Sequence, residues 1–328
     1  MKILSLFSGI GAFEEALKIL NVEFELVNYC EFDETPAKAY SLIHNVDINK
    51  NLGDITKVDE TILEDFDLMT YGFPCQSFSI QGKRLGFDDP EKGNLFFESI
   101  RIAKYKKPKI MIAENVKGLT NHDNGNTFKT ILKTLEDIGY NNYYKILNSS
   151  NFGVPQNRER IYIISIRKDI DNHKFLFPNN KEITTCVNDI LDLDRPRKTC
   201  KQSLLKYMDE KYFTQNYNSS TGIKKLFDGC AEGYFSSSFC ANRIFSIYGV
   251  SPTLTTKNDS NFYEICGELT SRERFALQGF KKEYCDLLIE NGFKKGKLDK
   301  MSGNSITVNV LIEIFKNILK TNLLHNNN

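Results

Sequence analysis

The chain has 328 residues, 41% of them hydrophobic and 26% charged, which is typical of a globular protein that buries a sizeable core. Its formal net charge of +1 means that any nucleic-acid surface has to come from a local cluster of charge. Eight cysteines include no C-x-x-C pair, and no apolar run approaches 18 residues. We therefore expect a cytoplasmic protein with reduced thiols, without a metal, a signal peptide or a membrane segment, and with two domains or one large domain carrying an insertion.

The chain begins with a predicted strand, a glycine loop and a helix. Lys2 to Phe7 is an apolar run of strand length, and Gly9 and Gly11 follow it. Glycines let the backbone approach a ligand, and the first turn of the new helix offers free N–H groups to an anion. The next predicted strand ends at Glu31, 20 residues after Gly11, where an acid can accept hydrogen bonds from ribose hydroxyls. Together these features predict an adenosine-containing cofactor.

The glycine loop also bears on which cofactor this is. Glu14 stands where a dinucleotide-binding G-x-G-x-x-G loop has its third glycine, which disfavours a pyrophosphate. S-adenosylmethionine carries one carboxylate and no pyrophosphate, so it fits the shorter loop better. Asp54, in a Gly-Asp-Ile turn, is expected either to accept a hydrogen bond from the adenine amino group or to cap a turn.

A second buried strand is predicted at Leu68 to Tyr71, ended by Gly72 and Pro74. This presents Cys75 just beyond the carboxyl end of the strand, where ligands bind in open α/β sheets. A single cysteine is more often an inert core residue, so its interpretation depends on the rest of the chain. The segment from Ile80 to Gly93 is polar and too long for a simple connection, and such loops are usually functional or disordered.

A further strand, Lys109 to Ala113, is predicted to end at a second acid, Glu114. Arg158 and Arg160 precede the predicted strand at 161–166; two residues apart, they would point the same way in an extended segment, or simply form a charged face. The other elements predicted here are helices at 94–103 and 124–138 and a strand at 142–147.

From Asp169 to about Ser271 the regular alternation of strands and helices is lost. Between Arg195 and Lys225 there are eight Lys or Arg residues and two acids, interleaved with aromatic residues. Such an excess suits phosphate contacts, although a solvated basic face is the alternative.

The sequence returns to helices near its end. A helix is predicted at 269–280, capped by Thr270 or Ser271, with Glu273 or Arg274 on its outer face. A long amphipathic helix follows the Gly-Asn-Ser sequence at 303–305.

Six motifs resemble, in the same order, those of C5-cytosine DNA methyltransferases of restriction-modification systems. They are FSGIGAF at 7–13, GFPCQSFS at 72–79, ENV at 114–116, QNRERIY at 156–162, SPTLTT at 251–256 and GNSITVNV at 303–310. Because they are ordered over nearly the whole chain, the set is far more specific than any one motif. The resemblance implies an α/β fold: a Rossmann-like, doubly wound sheet with a smaller, irregular, mainly β target-recognition domain. The implied boundaries are 1–180, completed by 303–328, for the catalytic and cofactor-binding domain, 181–270 for target recognition, and 271–302 for a return segment.

The resemblance also implies a reaction on double-stranded DNA. A methyl group passes from S-adenosylmethionine to C5 of a flipped-out cytosine while Cys75 is bonded to C6, and S-adenosylhomocysteine is the product. Glu114 holds N3 and the exocyclic amine, and Arg160 stabilises charge near O2. The implied catalytic residues are Cys75, Glu114, Arg158 and Arg160.

Binding residues are implied in the same way. The cofactor residues are Phe7, Gly9, Gly11, Glu31, Phe32, Asp54, Ile55, Leu95, Asn304 and Ser305. The DNA-binding residues are Gln76, Ser79, Gln81, Lys83 and Arg243. Two positions depart from the usual pattern: Ala12 stands where many members have Gly, and Gln81 where Ser is common. The expected protein is a monomer whose cognate restriction endonuclease is a partner by function only.

Three other functions remain open. A tRNA cytosine methyltransferase would share the catalytic domain, but those relatives have a PPCQPFT-like loop, so Phe73 and Ser77 favour DNA. A catalytically silent DNA-binding protein is disfavoured by the joint presence of nucleophile, acid, arginines and cofactor acids. A nucleotide-binding oxidoreductase is disfavoured by the short glycine loop and by the lack of a hydride-handling His or Tyr motif.

Overall fold

The structure is a computed structural model that describes residues 1–74, 95–200, 202–209, 217–218, 222–229, 231, 233–234, 242–256 and 260–324. The chain divides into two compact units. The first comprises Met1–Leu147, Glu159–Asn179 and Leu311–Asn328, and the second Asn148–Arg158 and Asn180–Val310. Residues 303–310, which the resemblance places in the catalytic domain, thus belong to the second unit. Across these described ranges, no helix has the length and hydrophobicity needed to span a bilayer.

The first unit is built on a six-stranded sheet with the strand order β2-β1-β3-β4-β6-β5. Its strands are β1 (Lys2–Leu6), β2 (Glu25–Cys30), β3 (Leu68–Tyr71), β4 (Ile110–Val116), β5 (Tyr140–Asn148) and β6 (Glu159–Arg167). The pairs β1–β2, β1–β3 and β3–β4 are parallel, whereas β6 runs antiparallel to β4. The predicted α/β class is confirmed, with a mixed central sheet.

Nine α-helices lie in the described part of the chain. They are α1 (Ala12–Ile19), α2 (Glu34–His44), α3 (Leu95–Lys106), α4 (Asn126–Asp137), α5 (Gln202–Leu205), α6 (Ser271–Ala276), α7 (Lys282–Glu290), α8 (Lys295–Asn304) and α9 (Val308–Leu319). In the first unit, apolar side chains of α3 and α4 pack against those of β1, β3, β4 and β6 in one core cluster. The alternate strand residues Ile3, Leu68 and Ile110 are also fully buried. Both faces of the sheet are therefore covered, which explains why its strands are almost wholly apolar.

The second unit contains a small four-stranded sheet in the order β10-β9-β8-β7. The strands are β7 (Tyr217–Asn218), β8 (Ile223–Asp228), β9 (Arg243–Phe245) and β10 (Asn261–Phe262). β8 is antiparallel to β7 and β9, and β10 is parallel to β9. These short strands agree with the smaller, mainly β part that the resemblance implies.

The helix α6 corrects one prediction. Thr270 caps it as expected: its side chain accepts a hydrogen bond from the backbone N–H of Glu273, whose carboxylate accepts one from the Thr270 N–H. The expectation that Glu273 or Arg274 faces outward is wrong, because these side chains are only 0% and 1% exposed. Arg197 explains the burial of Glu273, since its guanidinium lies 3.2 Å from the carboxylate.

Candidate active site

The glycine loop follows β1 and has a left-handed backbone at three positions. Phe7, Gly9 and Gly11 have φ values of 51°, 55° and 80°. The backbone N–H of Gly11 donates to the carbonyl of Ser8 (2.9 Å), which closes the turn before α1. An added Cβ at Gly9 would meet no atom of the described residues within 4 Å, so they leave open space over this part of the loop.

Glu31, at the end of β2, holds the glycine loop directly. One carboxylate oxygen accepts a hydrogen bond from the Gly9 N–H (3.0 Å) and the other from the Asp33 N–H (2.9 Å). Asn51 fixes the backbone of Glu31 from the other side, bonding both its N–H (2.9 Å) and its carbonyl (3.0 Å). The adjacent Phe32 ring is 78% exposed. Asn51 carried no sequence signal that distinguished it from other turn residues.

Asp54 caps a 3₁₀ turn formed by Ile55–Lys57. Its Oδ1 atom accepts hydrogen bonds from the Thr56 N–H (3.0 Å) and hydroxyl (2.8 Å), and the hydroxyl bond above all lowers the pKa of Asp54. The carboxylate therefore stays ionised and able to accept further bonds. Ile55 is buried beneath the turn, and Leu95, the first residue of α3, is partly buried against the same core.

Asn115 anchors the chain that leads out of β3. Its amide group donates to the carbonyl of Phe73 (2.8 Å), and its side-chain oxygen accepts from the Val116 N–H (2.8 Å). The Phe73 ring is buried and packs 5.2 Å, centroid to centroid, from Phe96. These contacts hold the chain in place as far as Phe73, two residues before Cys75. The predicted residues Cys75, Gln76, Ser79, Gln81 and Lys83 lie outside the described residues.

Glu114 and Arg160 meet at the carboxyl edge of the sheet. Because β6 is antiparallel to β4, its first residues lie beside the last residues of β4, with Arg160 opposite Val116 and Tyr162 opposite Glu114. This makes Glu114 and Arg160 diagonal neighbours on one face, within reach of long side chains. Arg160 Nε lies 3.2 Å from Glu114 Oε1, and both side chains are mostly buried.

Arg158 has different partners from Arg160. Its guanidinium donates to the backbone carbonyls of Ser305 (2.7 Å), Gly303 (3.2 Å) and Leu254 (3.4 Å), and the residue is 3% exposed. All of these residues belong to the second unit. Arg158 also precedes the start of β6, so the alternation of side chains within a strand does not apply to it. These contacts favour a structural role for Arg158, and its catalytic role stays a prediction.

A second buried arginine braces the same backbone. Arg274 donates to the carbonyls of Thr255 (2.7 Å) and Asp299 (3.0 Å) and to the Ser302 hydroxyl (3.1 Å). Gln278 donates to the Ser302 carbonyl (2.7 Å). The backbone around the predicted cofactor residues Asn304 and Ser305 is therefore held rigidly within the second unit, with the Asn304 side chain exposed.

The basic stretch, residues 195–225, has part of its positive charge offset by acids that lie outside it. Four basic residues of that stretch form ion pairs: Arg195 with Asp286 (3.7 Å), Arg197 with Glu273 (3.2 Å), Lys198 with Glu268 (2.6 Å) and Lys225 with Asp228 (2.8 Å). The predicted DNA-binding residue Arg243 also pairs with Asp228 (2.9 Å). Burial raises the pKa of Asp228, but its bonds from Lys225 and Ala231 and the charge of Arg243 outweigh this and lower it.

Comparison of the chain with known protein families identifies the family to which it belongs. Residues 1–320 match the family described as C-5 cytosine-specific DNA methylase. The chain belongs to this family. In the family's motif order, Glu114 lies in the ENV motif, Arg160 in QNRERIY and Gly9 and Gly11 in FSGIGAF, so the resemblance inferred from the sequence is confirmed.

Proteins similar to this chain match it over different shares of their own length. The orphan methyltransferase M.SPRI of Bacillus phage SPR is 38% identical over 281 residues, 78% of this chain and 64% of the phage protein. The chain thus spans less than two thirds of that relative. The type II methyltransferase M.Bsp6I of Bacillus sp. (strain RFL6) is 34% identical over 336 residues, covering 98% of this chain and 100% of the relative. The crystal structure of S. pombe Dnmt2 methyltransferase covers 99% of this chain and 100% of that one, with a TM-score of 0.71 and 18% identity, and supports the fold alone.

Proposed function

We propose that this chain transfers a methyl group from S-adenosylmethionine to C5 of a cytosine within a specific double-stranded DNA sequence. The observation that carries the proposal is the ion pair of Glu114 with Arg160 at the carboxyl edge of the sheet. Glu114 lies on β4, which pairs with β3, and the chain continues from β3 through the segment held by Asn115 towards Cys75. A nucleophile, an acid and a cation from adjacent strand ends are what addition to a pyrimidine ring requires.

The proposed reaction begins with addition of Cys75 to the cytosine ring. The Cys75 thiolate forms a bond to C6, and the displaced ring electrons make C5 nucleophilic. Glu114 holds N3 and the exocyclic amine, and Arg160 stabilises the charge that develops near O2. C5 then forms its bond to the methyl carbon as the bond between that carbon and the sulfonium sulfur breaks, which leaves S-adenosylhomocysteine. C5 next loses its proton to a base and the S–C6 bond breaks, which restores the aromatic ring and the thiolate. The target base must leave the stacked duplex first, at a cost of a few kcal/mol.

The residues of the first unit fit S-adenosylmethionine. When bound, this molecule supplies an electrophilic methyl group. The open space at Gly9, the exposed Phe32 ring and the partly exposed Glu31 carboxylate suit a loop contact, an adenine face and ribose hydroxyls, respectively. Asp54 keeps acceptor capacity after capping its turn, which allows the proposed contact with the adenine amino group.

We expect Glu31→Gln to weaken S-adenosylmethionine binding about tenfold or more, because a hydrogen bond to a charged group contributes about 1.5–3 kcal/mol. The same change weakens the acceptor for the Gly9 N–H. Calorimetric titration measures the affinity. Glu34→Gln, at an exposed position three residues along the chain, is the matched control. Equal affinity in Glu31→Gln and the control would remove Glu31 from the cofactor site.

The substrate class is tested by methyl transfer. Purified chain and labelled S-adenosylmethionine are incubated with double-stranded DNA and, separately, with tRNA. Label in DNA alone is expected, and bisulfite sequencing then gives the methylated site. Label in tRNA alone would instead support the RNA alternative. Absence of transfer together with sequence-specific DNA binding would support the catalytically silent alternative.

We also propose that residues 181–270 determine the DNA sequence that is methylated. Grafting this segment into a related enzyme, extended to residue 290 so that Glu273 and Asp286 keep their pairs with Arg197 and Arg195, is expected to move the methylated site with it. Persistence of the host's site would contradict the assignment. Ion pairs offset part of the positive charge of residues 195–225. The affinity of the chain for DNA should therefore fall less steeply with rising salt concentration than the number of lysines and arginines in this stretch predicts.

We propose that the chain acts as a monomer in the cytoplasm and as the modification enzyme of a restriction-modification system. Relatives differ on the last point, since one is named an orphan methyltransferase and another a type II methyltransferase. Measuring cleavage of unmethylated DNA in extracts of the source cells distinguishes the two.

A further inference from the structure

His44, the last residue of α2, contacts the glycine loop from beneath. Its Nε2 atom lies 3.0 Å from the carbonyl oxygen of Ile10, and its Nδ1 atom lies 3.0 Å from Nζ of Lys18. The side chain is 7% exposed, and the ring of Tyr40, one helical turn earlier, packs 4.6 Å from the imidazole centroid. Both ring nitrogens of this buried histidine thus have a polar partner.

These partners determine where the imidazole proton lies. A lysine ammonium can only donate, so Nδ1 of His44 accepts from Lys18. Nε2 therefore carries the proton and donates it to the Ile10 carbonyl. Burial and the nearby Lys18 charge lower the pKa of His44 to about 3, so the ring stays neutral near pH 7. A neutral ring with one fixed tautomer forms a constant support for the loop.

The imidazole also fills the space beneath Gly11. A Cβ atom added at Gly11 would lie 2.0 Å from Nε2 and 2.7 Å from Cδ2 of His44, and the φ of Gly11 is +80°. The requirement for glycine at this position therefore comes from the histidine as well as from the backbone. Glu31 holds the Gly9 N–H and His44 holds the Ile10 carbonyl, so two successive loop residues are held by different elements.

We propose that His44 is a positioning residue for the cofactor, which keeps the glycine loop in the conformation that accepts S-adenosylmethionine without contacting it. This inference rests on the proposed function. The Nε2 atom of His44 donates to the Ile10 carbonyl and its ring occupies the space beneath Gly11, so the side chain acts directly on the glycine loop. Because the loop is ordered before the cofactor binds, it loses less conformational freedom on binding. The affinity for the cofactor is therefore higher.

The test compares three substitutions. His44→Leu keeps most of the bulk and removes the donor, His44→Gln keeps an amide donor of similar reach, and His44→Asn carries the same amide on a shorter side chain. We expect His44→Leu and His44→Asn to raise the dissociation constant and the KM for S-adenosylmethionine about tenfold, the effect of losing a buried hydrogen bond. His44→Gln should stay close to the unaltered chain. The value of kcat at saturating cofactor and DNA should change little in all three.

The outcomes separate positioning from packing. Melting temperatures show whether each variant is folded, and if His44→Leu is not, the comparison of Gln with Asn carries the test. Unchanged affinity in His44→Asn, or an equal loss in Gln and Asn, would overturn the role of His44. A fall in kcat with unchanged KM would overturn it too. Failure of the unaltered chain to bind S-adenosylmethionine would instead refute the proposed function.

Discussion

Replacing Cys75 by Ser is expected to reduce methyl transfer by several orders of magnitude while the affinities for DNA and cofactor remain close to those of the unaltered chain. The thiol has a pKa of about 8.5 in a model peptide, and a serine hydroxyl is far harder to ionise, so the variant lacks a nucleophile for C6. The two side chains are similar in size. The anchor of Asn115 on the Phe73 carbonyl, two residues earlier, does not depend on the sulfur.

A mechanism-based substrate allows the predicted covalent bond between Cys75 and DNA to be detected directly. DNA with 5-fluorocytosine at the target position can accept the methyl group but cannot lose fluorine as a cation, so the chain stays bonded to its substrate. The complex should survive denaturing gel electrophoresis with the unaltered chain and be absent with Cys75→Ser. Mass spectrometry should place the adduct on the peptide that contains residues 73–79. An adduct on another cysteine, or full activity of the serine variant, would rule out the mechanism.

The two arginines of the QNRERIY motif are expected to respond in opposite ways to the same substitution. Arg160→Lys should lower kcat about a hundredfold or more with little change in melting temperature, because it disturbs a group proposed to stabilise developing charge. Arg158→Lys should lower the melting temperature by several degrees. Lysine cannot replace the planar guanidinium that donates to the carbonyls of Leu254, Gly303 and Ser305.

The pairing of Arg160 with Glu114 supplies a control for this contrast. Glu114→Gln alone should lower kcat, and combining it with Arg160→Lys should cost less than the sum of the two single effects, because the two side chains act as a unit. Arg158→Lys combined with Glu114→Gln should show no such coupling. Loss of activity in Arg158→Lys at an unchanged melting temperature would support a catalytic Arg158, as the resemblance implies.

Strand ends were the part of the candidate site that the sequence predicted best. The apolar run at Leu68–Tyr71 is the strand β3, residue for residue, because Gly72 and Pro74 mark where it must end. Glu31 directly follows β2, as predicted. In both cases the signal is local: hydrophobic side chains form the strand, and the residue after it is presented at the edge of the sheet.

Local sequence signals do not predict hydrogen-bond partners that are far apart in the chain. The carbonyls that bind Arg158 come from residues 96 to 147 positions later in the chain, and backbone carbonyls have no sequence signature. A spacing of two residues indicates a shared face only inside a strand, and β6 starts after Arg158. His44 was overlooked for the same reason: its partner Ile10 lies 34 residues away.

Charge was a poor guide to exposure in the second unit. The sequence predicts Glu273 or Arg274 on the outer face of its helix, because charged residues are almost never fully buried unless they are paired. Their partners, Arg197 for Glu273 and the carbonyls of Thr255 and Asp299 for Arg274, lie on other elements. Counting charges within one stretch of sequence likewise missed the acids that offset the basic residues.

These ion pairs limit how DNA specificity can pass between related enzymes by recombination. A crossover after residue 270 would separate Arg197 from Glu273 and Arg195 from Asp286. The fully buried Glu273 carboxylate would then face whatever residue the donor gene supplies at position 197. A crossover after α7 transfers each of these pairs intact. The segment that has to be exchanged as a whole therefore extends past residue 286. Functional chimaeras should be found most often with junctions beyond that point.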